Sequence, residues 1–364
     1  MKIVFFSTYY DKYLDSFYTK HPEFLALSYA DQIENLKNDY FGVFGSYVNH
    51  ANRLGHEAVL IVPNCESMQK TWAKEHKFDY SENGWEREIA LEQIKAYGPD
   101  VFFMSSLFHY YGDFLKKARP YCRKLFGWIA CPVPEGIQLN QMDLILTSVP
   151  ELVNSFRSQG VNSELLPAAF DPDVLKRIDR SVKQDIDFSF IAGFSNAHTK
   201  RKLLTEGLIR ETGLTLFGYG LSGDNSLKGK LKSLIAPDPV LKRYKGEVWG
   251  LKMFETLFRS KITFNAHIDM ALGNRVNMRM YEATGMGTLL LTDKSEENGK
   301  QYFSEDKEIV SYTCLEDAIE KVHYYLSHEE ERKAIAKSGQ ERTLKSYSFN
   351  ENMPVMLSYF SKYM

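Results

Sequence analysis

Arg279 and Glu282 are the residues of this chain whose chemistry suits a ligand best. An arginine fork donates two parallel hydrogen bonds, the pattern a phosphate accepts. One carboxylate can accept from both vicinal hydroxyls of a ribose. Together the two read as a nucleotide site. A second cluster runs from Gly193 to Arg201. A glycine just after a strand lets a diphosphate approach the backbone, and the amides of the next helix start point at it. His198 and Arg201 add donating side chains one turn apart. An ordinary exposed strand-to-helix turn would show the same spacing.

Both clusters need elements to hold them. Ile262 to Asp293 reads ITFNAHIDMALGNRVNMRMYEATGMGTLLLTD. The pattern is a short apolar strand, a polar loop, a helix carrying Arg279 and Glu282, the turn Gly285-Met286-Gly287, and a second strand. That is the unit of a parallel α/β sheet, whose ligands bind beyond the carboxyl ends of the strands. Similar units recur. Strands are expected at Ile3–Ser7, Ala58–Val62, Val101–Met104, Leu125–Ala130, Leu144–Thr147, Ile186–Ala192, Leu214–Phe217 and Ile309–Tyr312. Helical patterns lie between them, at Phe44–Leu54, Trp85–Ala96, Phe114–Lys124 (interrupted or shifted by Pro120), Pro150–Gln159, Lys200–Arg210, Val248–Ser260 and Cys314–Leu326. Thr8–Asp39 and Asn64–Trp85 show no clear period. Strand and helix alternate throughout, so the class is α/β with doubly wound parallel sheets.

The 364 residues suit two domains at roughly 100–200 residues each. A net charge of −2 argues against nucleic acid as a partner. Cys65, Cys122, Cys131 and Cys314 are scattered without a Cys-x-x-Cys pair, so no zinc signature exists and a reducing cytosol fits. No apolar run approaches ~18 residues, so no span is expected. The location expected is cytoplasmic, with the inner membrane face as a peripheral option. That option rests on Lys116, Lys117, Arg119, Arg123 and Lys124 clustering with Phe114, Leu115 and Tyr121.

Gly218-Tyr219-Gly220-Leu221-Ser222-Gly223 fits Gly-x-Gly-x-x-Gly after a strand. The polar, lysine-rich Asp224–Lys232 that follows lacks the apolar helix a dinucleotide fold requires. Asn277-Met278-Arg279, Tyr281-Glu282-Ala283, Gly285, Gly287 and Leu289–Asp293 resemble the GT-B glycosyltransferases of the CgeB-like, spore-maturation-protein group. Gly246-Glu247-Val248-Trp249-Gly250, Lys261–His267 and the closing region Glu316–Arg342 resemble further blocks of that group. The resemblance is strong over residues 185–345 and faint over 1–165.

The resemblance implies a GT-B fold, two facing Rossmann-like domains with a cleft between them. Residues 1–170 would form the acceptor-side domain and 171–345 the nucleotide-sugar domain. The terminal helix in 346–364 would cross back to the first. It implies transfer of a sugar from a nucleotide diphosphate sugar, a UDP-sugar first, to a glycan, lipid-linked or protein hydroxyl, in bacterial surface glycan or glycoconjugate synthesis. No cofactor and no metal are expected. The donor set is Gly193, His198, Arg201, Trp249, His267, Asn274, Asn277, Arg279 and Glu282. Glu282 falls on the ribose-binding glutamate of related retaining enzymes. Those enzymes often carry another glutamate eight positions earlier. Here that position is Asn274, a departure that leaves both the retaining and the inverting course open and leaves nucleotide binding untouched.

If the reaction inverts, a catalytic base would project from a carboxyl-end loop of the first domain. His109 and Asp11 are the candidates, with His21 third. Aromatic packing beside Phe108 and Tyr110 is the other reading of His109. Asp171-Pro172-Asp173 matches the Asp-x-Asp of metal-dependent sugar transferases of another fold, or a helix cap with proline at its first position. Rival functions are an epimerase or phosphorylase on the same fold, or a non-catalytic surface or spore-layer protein.

Overall fold

Ile3, Val4, Phe5 and Phe6 are fully buried, as a strand covered on both faces demands. They belong to β1 (Lys2–Phe6) of a computed structural model that describes residues 1–193, 199–220, 239–267, 277–294 and 302–364. The chain divides into two units. One comprises Met1–Pro167 with Phe349–Met364, the other Ala168–Ser348.

The first unit adds β2 (Glu57–Ile61), β3 (Val101–Met104), β4 (Lys124–Trp128), β5 (Leu144–Thr147) and β6 (Ser163–Leu165). The order is β2-β1-β3-β4-β5-β6, and every pairing is parallel. The second unit has β7 (Ile186–Ile191), β8 (Thr215–Phe217), β9 (Ser260–Asn265), β10 (Leu289–Asp293) and β11 (Val310–Tyr312), in the order β11-β10-β9-β7-β8, again parallel. In each sheet the first strand lies between its second and third. The winding therefore reverses between β1 and β3, and between β7 and β9. Crevices for ligands open outside the carboxyl ends at such reversals.

The last helix, Phe349–Tyr363, belongs to the first unit. Its Phe360 ring lies 5.5 Å from Phe103 and 5.1 Å from Phe126. Phe349 packs 5.0 Å from Tyr47. Burying each such ring contributes about 1.5–3 kcal/mol. Glu164 fixes the far end, accepting from Lys362 Nζ at 2.6 Å, Tyr363 hydroxyl at 2.7 Å and Arg157 at 3.0 Å. Burial alone would raise the Glu164 carboxyl, but the Lys362 and Tyr363 bonds hold it below its ordinary range.

Two segments without a clear period are helical. Thr8–Asp39 contains helices Asp11–Lys20 and Tyr29–Asn38 joined through Pro22–Ala26, and Asn64–Trp85 contains helix Glu66–Glu75. The basic stretch from Phe114 differs too. It is a short helix, Asp113–Ala118, a single turn at Arg119–Tyr121, and then strand. Phe114 and Leu115 are core residues. Lys117, Arg119 and Arg123 pair with Asp113, Asp143 and Asp100. The stretch thus gives its apolar side to the core, and only Tyr121 among its three apolar members is exposed. Among the described residues no helix is long and apolar enough to cross a membrane.

Candidate functional site

The carboxyl edge of the second sheet gathers most of the expected donor residues. The helix Met278–Gly285 starts there, following β9 in the chain. It ends at a turn where Gly287 takes φ +75°, a left-handed conformation that glycine adopts without strain. Arg279 Nη1 lies 2.8 Å from Glu282 Oε2 and also donates to Met253 Sδ on the helix Gly250–Arg259. Both charged side chains are roughly four-fifths buried. The pair expected to hold phosphate and ribose is therefore prearranged, each partner orienting the other. A partly buried ion pair of this kind keeps Arg279 from collapsing onto the surface.

Beside it, β9 and β10 end in a chain of side-chain hydrogen bonds. Asn277 Nδ2 donates to Asn265 Oδ1 at 3.0 Å, and Asn265 Nδ2 donates to Thr292 Oγ1 at 3.0 Å. The Thr292 hydroxyl donates to Asp293 Oδ1 at 3.4 Å. His267 gives the same oxygen both its backbone N–H, at 3.1 Å, and its ring Nδ1, at 2.7 Å. Register makes this possible, because Asn265 stands opposite Thr292.

On the β7–β8 side, Gly193 follows β7. A Cβ there would fall 2.5 Å from the Tyr219 ring, so the close approach requires glycine. Tyr219 in turn stacks on Trp249 at 5.3 Å, and the Trp249 indole donates to Glu247 at 3.2 Å. Arg201 belongs to the helix Thr199–Thr212. His198, Asn274 and the Asp224–Lys232 segment lie outside the described residues. Tyr219, Met253, Asn265, Thr292 and Asp293 join the site without having been singled out in the sequence. Tyr219 carried a faint signal, as the residue between two glycines after a strand.

The first unit presents a different edge. Ser105 Oγ donates to Ser7 Oγ at 2.9 Å, and Ser106 Oγ meets both the backbone N–H and the hydroxyl of Thr8, at 2.8 and 2.7 Å. Nearby opens a groove of about 880 Å³ whose walls include Asp11, Asp15, Tyr18, Glu66, Trp85 and Glu86. Asp11 is held by Asn64 at 3.0 Å. His109 is exposed, with Nε2 3.7 Å from Glu86 Oε1, and packs edge-on against Tyr110 at 4.9 Å. Tyr110 also bonds Glu86, and burial with that carboxylate pushes its phenol well up. Asp11 thus lines the groove, and His109 borders it through Glu86. His21 stacks on Phe24 at 4.7 Å and has Glu23 as its neighbour. Asp171 caps the single-turn helix Pro172–Lys176, accepting from the Asp173 N–H at 3.0 Å.

Residues 201–358 match a family model described as glycosyl transferase-like. That span holds Arg279, Glu282 and the hydrogen-bonded chain beside them. No curated protein matches the chain. Solved structures do match in fold. A glycosyltransferase from Rickettsia africae is 11% identical with a TM-score of 0.61, over 100% of this chain and 98% of that one. The Anabaena protein HepE in complex with UDP-glucose is 12% identical with a TM-score of 0.61, over 100% of both chains. Sucrose-phosphate synthase from Thermosynechococcus elongatus is 10% identical with a TM-score of 0.59, over 100% and 98%. The fold is the GT-B glycosyltransferase fold, two parallel-sheet α/β domains.

Proposed function

We propose that this chain transfers a sugar from a nucleotide diphosphate sugar to an acceptor hydroxyl. The observation that carries the reading is the Arg279–Glu282 pair at the carboxyl edge beside the β7–β9 reversal, inside the span that matches the glycosyl transferase-like model. Arg279 faces the diphosphate, where negative charge grows as the glycosyl bond breaks, and preorganised donors there lower the barrier. Glu282 uses its remaining acceptor sites for the ribose hydroxyls. The donor base is uracil by the reading that HepE's UDP-glucose complex supports. No metal is required, because Arg279 and Arg201 supply the positive charge. The narrower kinship with the CgeB-like group, and a role in bacterial surface glycan synthesis, rest on the blocks that resemble that group.

The acceptor enters at the first unit's groove, where Asp11 or His109 takes the hydroxyl proton. Carboxylates and a tryptophan together suit a polyhydroxylated acceptor. Calorimetric titration with UDP and UDP-hexoses, followed by assay of UDP release with and without an acceptor alcohol, tests the reading. Acceptor-dependent UDP release that survives strong chelation is expected. Failure of every nucleoside diphosphate to bind would remove the reading. Turnover of the donor without any acceptor would move the chain to the epimerase class.

A further inference from the structure

The hydrogen-bonded chain at the ends of β9 and β10 has two loose ends. His267 is about nineteen-twentieths buried, and its Nε2 has no hydrogen-bond partner among the described residues. Asn277 Oδ1, at the opposite end, is a buried atom in the same state. Buried polar atoms in native proteins are almost always paired, so an orphan needs an explanation. Asn277 sharpens the point. It stands at the N-cap of the helix Met278–Gly285, where an asparagine usually accepts from the first amides, yet its side chain makes no such bond. Its amide nitrogen is used on Asn265 instead, and its oxygen is left open.

The direction of the chain fixes what each end can do. Every side-chain hydrogen along it points toward Asp293 Oδ1: Asn277 to Asn265, Asn265 to Thr292, Thr292 to Asp293, and His267 Nδ1 to Asp293. With its proton held on Nδ1, a neutral imidazole presents a lone pair at Nε2. Asn277 Oδ1 presents lone pairs as well. With the imidazole in that neutral form, both ends are acceptors. A diphosphate offers only acceptors and suits Arg279. A sugar offers one O–H at each ring carbon that bears a hydroxyl.

We infer that His267 Nε2 and Asn277 Oδ1 receive hydroxyls of the transferred sugar and so select which sugar is accepted. Asp293, with Thr292 and Asn265 behind it, sets the direction in which both ends face. This rests on the reading of the second unit as the donor domain. It assigns to this pair the sugar contact that a glutamate at position 274 would make in the related retaining enzymes.

The test separates the sugar from the nucleotide. Calorimetry measures the affinity of UDP and of the tightest-binding UDP-hexose for the wild type, His267→Ala and Asn277→Ala. The ratio of the two affinities is the sugar increment. Each variant should lose about 3- to 10-fold of that increment while binding UDP as before, the value of one neutral hydrogen bond. Donors lacking one hydroxyl should weaken the wild type by a similar factor at one ring position. They should do little further to the matching variant, as in a double-mutant cycle. The deoxy series on the wild type holds even where a variant fails to fold, which thermal melting reports. Equal losses for UDP and UDP-hexose would turn His267 into a phosphate contact and overturn the inference. So would an increment that needs Mg²⁺ or Mn²⁺ and loses that need in His267→Ala, since the two atoms would then hold a cation. An increment unchanged in both variants would overturn it too. If UDP and all other nucleoside diphosphates fail to bind the wild type, the functional reading itself falls.

Discussion

The two sheets reverse their winding in the same way, yet their carboxyl edges are finished differently. In the first unit Ser7, Thr8, Ser105 and Ser106 bond to one another directly at the β1–β3 reversal. In the second unit the polar groups beside the β7–β9 reversal form a chain whose ends, His267 Nε2 and Asn277 Oδ1, are open, flanked by the Arg279–Glu282 pair. Topology alone offers two crevices. Side-chain bonding distinguishes them: at one edge the short hydroxyls bond one another and the Tyr9 hydroxyl is the buried group left over, while the other edge keeps two open acceptors beside a charged pair. The difference supports the proposal that the donor binds at the second edge, while the first unit's open volume lies to one side, in the groove bounded by Asp11 and Glu86.

The largest expected effect tests whether the edges are energetically separate. Phe360→Ala removes a fully buried ring that packs on Phe103 and Phe126 within the first unit. Such a truncation costs about 3–5 kcal/mol. Melting should show a large loss, and hydrogen exchange should place it in residues 1–167 with the terminal helix. UDP affinity, measured below the melting range, should be unchanged. A matching fall in UDP affinity would break the comparison, because the donor site would then depend on the first unit.

Arg279→Ala comes next. It removes the guanidinium that meets the growing charge and leaves Glu282 without its partner. Loss of one such preorganised donor lowers turnover roughly 10²- to 10³-fold. Single-turnover assays of UDP release, run below the melting range, should show this beside the loss of stability that an unpaired, largely buried Glu282 carboxylate brings. An unaltered rate would put the diphosphate elsewhere.

Much of this architecture was legible in the sequence, for a physical reason. Buried parallel strands must be continuous apolar runs, and Ile3–Phe6, Val101–Met104 and Leu144–Thr147 are such runs. The helix Glu66–Glu75 was hidden because its buried face includes Gln69, whose Nε2 donates to the Val62 carbonyl at 3.0 Å. A polar residue doing core duty breaks the apolar period that sequence reading relies on. In Asp11–Lys20 the buried set is only Tyr13, Leu14 and Phe17, set among charged residues. At the site, Arg279 and Glu282 stood out because they are neighbours in sequence. The Asn265–Thr292–Asp293–His267 connection did not, since it exists only through the β9–β10 register.

Glu282→Ala sharpens the comparison further. Its carboxylate already accepts from Arg279, so the loss combines any ribose contact with a looser arginine. Hydrogen bonds to charged groups are worth about 1.5–3 kcal/mol, which predicts a 10- to 150-fold fall in UDP affinity. Deoxyribose analogues separate the two parts. They should weaken the wild type and hardly affect Glu282→Ala. If the losses simply add, Glu282 acts only by orienting Arg279.

The smallest expected effect is at the hydroxyl-bonded edge. Ser106→Ala removes the hydroxyl that accepts from the Thr8 N–H and shares a hydrogen with the Thr8 hydroxyl. Thr8 is partly exposed, so water can replace the lost partner. The cost should be no more than about 1 kcal/mol of stability. UDP affinity and the sugar increment should both stay at wild-type values, because these hydroxyls serve one another rather than a ligand. Acceptor-dependent turnover should also hold, since the Ser106 hydroxyl bonds Thr8 alone among the described residues, and the His109 N–H meets the Ser106 carbonyl, which alanine keeps. A thermal melt, a UDP titration and an acceptor titration give the three readings on one preparation. If Ser106→Ala instead weakens UDP binding tenfold, the hydroxyl-bonded edge is a ligand edge after all. The contrast between the two reversals would then collapse into two half-sites of equal standing.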